Sequence, residues 1–235
     1  MEKETRLNKF LSEAGICSRR EADRLIESGL VLVDGAKAIP GLKVTSQNKI
    51  TVNGRPVGQA QEKVLLLFHK PKGIVCTAEK RERNNLIDYL NHPVRVTYAG
   101  RLDKDSEGLL LLTNDGDLID KMMRARNHHE KEYIVTVNKP LTEAFIKGMA
   151  KGVPILDTVT RPCEVTKISE KTFRIVLTQG LNRQIRRMCE YFDYQVVQLK
   201  RVRIMNLQLG SLPPGKTRPL TEKETKELHR QLEQE

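Results

Sequence analysis

Gly100-Arg101-Leu102-Asp103-Lys104-Asp105-Ser106-Glu107-Gly108-Leu109-Leu110-Leu111-Leu112-Thr113-Asn114 leads from a cluster of charges directly into a run of leucines. The apolar run reads as a buried strand, and Ser106-Glu107-Gly108 as turn chemistry before it. Ahead of that turn, an extended chain points Arg101 and Asp103 the same way and sends Leu102 into the fold. The chain holds 41 Lys and Arg against 30 Asp and Glu, a formal charge of +11. Such a field suits a polyanion, and a carboxylate in its midst costs affinity for phosphate-bearing ligands. An isolated Asp in a turn usually has a structural use. Asp103, flanked by Arg101 and Lys104 in so basic a chain, reads instead as chemistry.

Downstream and upstream of this stretch, strand-like runs at about 109–113, 132–137, 163–168, 173–178 and 195–208 are interspersed with helical patterns near 84–90, 117–125, 141–150 and 182–192. This mixed order predicts an α+β fold. Val64-Leu65-Leu66-Leu67-Phe68 adds a buried strand, and the polar residues 58–63 before it read as a short linker. Nearer the N-terminus, Leu7, Phe10, Leu11 and Ala14 recur at helical spacing. Ser18-Arg19-Arg20-Glu21 is a capping box for a second helix carrying Ala22, Leu25 and Ile26, which Gly29 can end. Strands follow at Leu30–Val33 and Ile50–Val57, turning at Asp34-Gly35 and Asn53-Gly54. Two domains are expected, a small one over residues 1–60 and a larger one over 61–235. Residues 221–235 are charged apart from Leu228 and Leu232 and read as a solvated terminal helix.

Cys17, Cys76, Cys163 and Cys189 are far apart and form no Cys-x-x-Cys pair, which argues against a disulfide framework or a zinc site. The sequence has no glycine-rich nucleotide loop and no metal-ligand spacing, so no cofactor is expected. The first residues lack the apolar core of a signal peptide, and no apolar run approaches the ~18 residues of a membrane span. The expectation is a cytoplasmic monomer without membrane contact.

Three further constellations carry candidate chemistry. Arg6, Lys9, Arg19, Arg20 and Arg24 lie on the first two helices, with Arg20 and Arg24 sharing a face; this is either a solvated surface or a docking face for a polyanion. In Lys131-Glu132-Tyr133-Ile134-Val135-Thr136-Val137, alternation puts Tyr133, Val135 and Val137 on one side of a strand. On a helix over residues 182–192, Ile185, Met188, Cys189 and Phe192 form an apolar stripe, while Arg183, Arg186 and Arg187 gather on another side. Three such arginines repel one another and call for phosphates or a carboxylate.

With these residues in view, Arg6-Leu7-Asn8-Lys9-Phe10-Leu11, Gly15-Ile16-Cys17-Ser18-Arg19-Arg20-Glu21-Ala22 and Val31-Leu32-Val33-Asp34-Gly35 resemble the S4 RNA-binding domain. The Gly-Arg-Leu-Asp stretch, the Lys-x-Tyr-x-Val strand at Lys131 and the Gly-x-x-Arg-Gln-Ile-Arg-Arg-Met segment at Gly180 resemble bacterial ribosomal-RNA pseudouridine synthases of the RsuA type. The likeness runs from Arg6 to Leu220 and is nearest the RluF-like branch. It implies a catalytic domain with a mixed, mainly antiparallel sheet flanked by helices. The implied reaction converts uridine to pseudouridine in ribosomal RNA, of the large (23S) subunit, and needs no cofactor because no atoms are gained or lost. Asp103 takes the catalytic position, Tyr133 stacks on the target base, and Arg186 pairs with Asp103, with Arg183 the next choice. RNA contacts fall to Arg6, Lys9, Arg19, Arg20, Arg24, Arg101, Lys131, Arg183 and Arg187, with Asn127, His128 and His129 nearby. Two rival readings stand beside this one: a non-catalytic RNA-binding or ribosome-assembly factor on the same scaffold, and an N-glycosidic hydrolase using Asp105 as its second acid.

Overall fold

The computed structural model describes residues 4–58, 61–124 and 128–233. They fall into two compact units, one built on residues up to Val64 with Pro93–Arg95 and Asn114–Gly116, the other on Leu65–His92, Val96–Thr113 and the chain from Asp117 onward. Asn127 of the expected contact set lies outside the described residues.

In the first unit β1 (Thr5–Arg6), α1 (Leu7–Glu13) and α2 (Arg19–Glu27) precede β2 (Val31–Val33), β3 (Ala36–Lys37), β4 (Lys43–Val44), β5 (Ile50–Val52) and β6 (Arg55–Pro56). Ser18 caps α2 by accepting from the Glu21 amide at 3.2 Å, and the Glu21 carboxylate turns to Arg24 at 3.1 Å. The capping box is thus closed from one side, through the serine. Leu7, Leu11, Ala22 and Ile26 are buried with Val31, Val44, Ile50 and Val52 in one core. That packing leaves Arg19, Arg20 and Arg24 on the exposed side of α2. Strand order is β3-β2-β5-β6, and β1 pairs separately with β4.

The second unit continues through β7 (Leu65–Lys70), α3 (Leu86–Leu90), β8 (Thr97–Ala99), β9 (Glu107–Thr113), α4 (Gly116–Met123), β10 (Lys131–Val137), α5 (Glu143–Lys151), β11 (Pro154–Ile155), β12 (Thr158–Val159), β13 (Glu164–Lys167), β14 (Thr172–Leu177), α6 (Gln184–Tyr191), β15 (Val196–Ile204), β16 (Leu207–Gln208), β17 (Thr217–Pro219) and α7 (Glu222–Glu233). Its nine-stranded sheet runs β13-β14-β10-β15-β9-β7-β17, with β16 beside β15 and β8 beside β9. The α+β expectation is met, and the sheet is mixed and mainly antiparallel: only β15 and β9 pair in parallel, Lys200 with Glu107 and Arg201 with Gly108.

Glycine is required at that junction. Gly108 has φ +121°, and a Cβ there would lie inside the contact distance of the Arg201 backbone nitrogen and oxygen. The leucines of β9 divide by alternation, Leu109 and Leu111 packing with Leu67, Leu118 and Met122. The same cluster holds Leu228 and Leu232 of α7, which corrects the reading of a solvated terminal helix. Two leucines at i,i+4 spacing are enough to dock this helix because they make one stripe. Thr221 and Arg218 complete the anchor: the Glu224 carboxylate accepts from both Arg218 nitrogens at 2.8 and 2.7 Å and from the Thr221 amide at 2.8 Å. The Arg218 hydrogen bonds, acting against partial burial, bring the Glu224 carboxyl down to about 2.

A depressed carboxyl contributes stability that is complete above its unfolded value of ~4.3 and disappears as the pH falls toward the folded value. Glu224→Gln is therefore expected to lower stability by roughly 1–2 kcal/mol at neutral pH. In thermal melts between pH 7 and 2, the difference from wild type should shrink below pH ~4.5.

Candidate active site

The turn between β8 and β9 is held from several sides. Leu102 is buried and its amide faces Cys76 Sγ at 3.5 Å, while the Ser106 amide closes the turn on the Asp103 carbonyl at 3.1 Å. Lys70, fully buried at the end of β7, donates from Nζ to the Ser106 carbonyl at 2.8 Å and to the Pro71 carbonyl at 3.0 Å. Burial holds this ammonium below the usual lysine range, and the nearby Cys76, Asp103 and Asp105 only partly oppose that. From the other side of the sheet junction, Arg201 donates through Nε to the Leu109 carbonyl at 2.8 Å and through Nη1 to the Arg101 carbonyl at 3.5 Å. Carbonyls on both sides of Asp103 are thereby fixed to strands.

Asp103, with its side chain 39% exposed, opens onto a cleft of about 570 Å³ lined also by Arg101, Lys131, Tyr133, Arg183, Arg186 and Arg201. Tyr133 and Val135 share the buried face of β10, as alternation requires. His129 lines the cleft as well, and Lys131 Nζ donates to its carbonyl at 3.2 Å. Burial, and then the neighbouring Arg201 charge, bring the Lys131 ammonium down to about 8.

The expected pairing of Arg186 with Asp103 is corrected by the geometry. Arg183 approaches Asp103 at 3.8 Å and binds Asp105 in bidentate fashion at 3.2 and 3.1 Å. Arg186 reaches the Asp105 carboxylate at 3.3 Å and donates to the Asp105 carbonyl at 3.2 Å and Ser106 Oγ at 3.3 Å. The cause lies in where the helix starts. Arg183 is the N-cap of α6 in the left-handed region, φ 49°, so its guanidinium departs from the helical face and reaches the turn first. Arg186 is buried within α6, and Arg187 folds back onto the Asn182 carbonyl and side-chain oxygen at 3.1 and 3.3 Å, outside the lining of the cleft. Burial raises the Asp105 carboxyl, but the Arg183 hydrogen bonds and the Arg186 and Arg183 charges outweigh it, leaving Asp105 below the ordinary carboxylate range.

Asp105 serves the turn, as its place before Ser106-Glu107-Gly108 suggests, whereas the positions of Lys70 and Arg201 were missed from sequence. A lysine ending the apolar run Leu65-Leu66-Leu67-Phe68-His69 was a usable signal for Lys70. Arg201 had none, since alternation gives it and Arg203 the same side. A register shift between Glu132 and Tyr133 separates them: Arg201 stands opposite Tyr133 on the cleft face, and Arg203 stands opposite Glu132, which it binds at 2.9 Å. In the first unit, Lys9 is 3.8 Å from Glu13, and Arg6 is exposed. Among the described residues no three His, Cys, Asp or Glu side chains come together as a metal site requires. No helix among them is long and apolar enough to cross a membrane.

If Asp105 aligns both arginines against the turn, Asp105→Asn should loosen residues 102–106 locally and leave the sheet intact. Amide hydrogen exchange in that peptide is expected to quicken roughly three- to tenfold while the melting temperature moves by only a few degrees; unchanged exchange would mean the turn is held without these arginines.

Comparison with known proteins shows what the chain is similar to. Residues 64–191 match the family model described as RNA pseudouridylate synthase, and residues 5–47 match that of the S4 domain. A dual-specificity RNA pseudouridine synthase RluF of Salmonella typhi is 54% identical over 231 residues, covering 97% of this chain and 80% of that protein. A ribosomal large subunit pseudouridine synthase B of Bacillus subtilis is 36% identical, with 95% of each chain covered. A solved pseudouridylate synthase structure superposes with a TM-score of 0.70 at 27% identity over 95% of this chain and 99% of that one.

Proposed function

Because the chain belongs to the RNA pseudouridylate synthase family and carries an S4 domain, we propose that it isomerises uridine in ribosomal RNA with Asp103 as the reacting carboxylate. The observation that carries the proposal is the convergence of Asp103 and Tyr133 on one cleft whose turn is fixed by Lys70, Arg201 and Arg186. A cleft of about 570 Å³ accommodates a nucleotide extruded from its stack. Extrusion costs a few kcal/mol, recovered by stacking on Tyr133 and by phosphate contacts from Arg101 and Arg183 at the cleft, with Arg187 beside it and Arg6, Lys9, Arg19, Arg20 and Arg24 on the S4 domain. The Bacillus subtilis relative, named for the ribosomal large subunit, supports large-subunit ribosomal RNA as the substrate, met in the cytoplasm where ribosomes are assembled.

The reaction breaks the bond between N1 and C1′ and makes one between C5 and C1′. Asp103 serves it either by attacking C1′ or by taking the proton from C2′. Arg183, bridging Asp103 and Asp105, aims the carboxylate and limits its freedom before substrate arrives. An assembly factor has no use for a partly exposed carboxylate held in a preformed cleft. The hydrolase reading fails on Asp105: with two guanidiniums on it and its carboxyl kept low, it cannot hold the proton a general acid must deliver.

Uridine bearing tritium at C5 loses the label when C5 bonds to C1′, so release from labelled ribosomal RNA fragments reports turnover. Asp103→Asn should give no release while binding RNA within about threefold of wild type; full activity in that variant would remove Asp103 from the chemistry. Arg19→Ala, Arg20→Ala and Arg24→Ala together should weaken binding and lower the slope of log affinity against log salt by about 2. An unchanged slope would make this helix a solvated surface.

A further inference from the structure

The cleft holds two kinds of cation. Arg183 and Arg186 are answered by Asp105, and Arg183 also by Asp103. Lys131 and Arg201 pair with no carboxylate among the described residues: their partners are the carbonyls of His129, Leu109 and Arg101. Arg201 is 2% exposed, and its Nη2 is buried with no hydrogen-bond partner. Burying a guanidinium beside an ammonium, with one donor unmatched, is unfavourable until an anion arrives.

Their position narrows what that anion is. Arg201 lies directly across the strands from Tyr133, and Lys131 is on the same face of β10 two residues before it. Of the carboxylates near these strands, Glu130 and Glu132 are engaged with Arg203 and, for Glu132, also Arg174, and Glu107 is engaged with Lys200. A base stacked on Tyr133 turns its edge toward Lys131 and Arg201. We propose that Lys131 and Arg201 form an anion subsite that receives a uracil carbonyl oxygen as the base departs from the ribose. This inference rests on the isomerase reading above.

The charge balance requires such a partner by either route. When N1–C1′ breaks, its electron pair stays on the uracil and spreads onto the ring oxygens. Meanwhile C1′ bonds to the Asp103 carboxylate, or C2′ gives up its proton to it. The pair is used again when C5 bonds to C1′: the Asp103–C1′ bond breaks, or Asp103 returns its proton to C2′, and as the C5 proton passes to solvent N1 takes one up. A preorganised cation pair in a site sheltered from water stabilises the intermediate charge and has little to gain from the neutral uridine. It is therefore expected to act on rate and not on binding.

Lys131→Met tests this at low risk to folding, because Lys131 is only partly buried and makes a single carbonyl contact. Single-turnover tritium release at saturating protein should fall about 100-fold, with RNA affinity and its salt slope within twofold of wild type. Lys131→Arg should restore most of the rate, since the charge returns. The subsite is overturned if Lys131→Met binds RNA about tenfold more weakly with a shallower salt slope at an unchanged rate, which would make Lys131 a phosphate contact. It is equally overturned if rate and affinity are both unchanged, or if they fall by the same factor. Wild-type protein and Asp103→Asn run alongside keep the two readings apart: absence of release by wild type contradicts the isomerase reading itself, whatever Lys131 does.

Discussion

Where β9 and β15 run in parallel, Gly108 lets the Arg201 backbone approach closer than any side chain would permit. The cleft depends on this contact. Elsewhere the sheet is antiparallel, so this step joins the β7–β9 half to the β10–β15 half. It also sets the Arg201 side chain under the Asp103 turn, where it takes the carbonyls of Arg101 and Leu109. With Lys70 holding Ser106 from β7, a loop of seven residues acquires the rigidity of the strands around it. A reactive carboxylate on a free loop would sample many positions, most of them unproductive.

Charge in the cleft is divided unequally. Asp105 absorbs most of the attraction of Arg183 and Arg186, which leaves Asp103 with one arginine at 3.8 Å and an open side toward the cleft. This division explains why two aspartates two residues apart are suited to different tasks. One is committed to structure by its ion pairs, and the other keeps the freedom to meet a substrate. On the far face of β10, Glu130, Glu132, Arg174 and Arg203 neutralise one another, so the uncompensated positive charge of these strands is concentrated on the cleft side at Lys131 and Arg201.

Much of this was legible in the sequence because it is local. The leucine run after the charged turn, the Ser18 cap, the Asn-Gly and Asp-Gly turns and the alternation at Tyr133 are each set by a few neighbouring residues, and the structure contains all of them. What escaped depends on partners distant in sequence. Strands of two or three residues such as β1, β4 and β8 exist only through their pairing. A bulge sent Arg201 and Arg203 to opposite faces, and the late start of α6 gave Arg183, not Arg186, the approach to Asp103. In α7 the composition showed a charged helix, but the groove that receives Leu228 and Leu232 is made by residues more than a hundred positions earlier together with β15 and β16.

The central claim is that this chain makes pseudouridine in ribosomal RNA. Its most direct test is a pseudouridine map of ribosomal RNA from cells lacking the protein, set against cells that carry it. The account predicts that a discrete modification in large-subunit RNA disappears and returns only when the protein is restored. An identical map in both cells would contradict it.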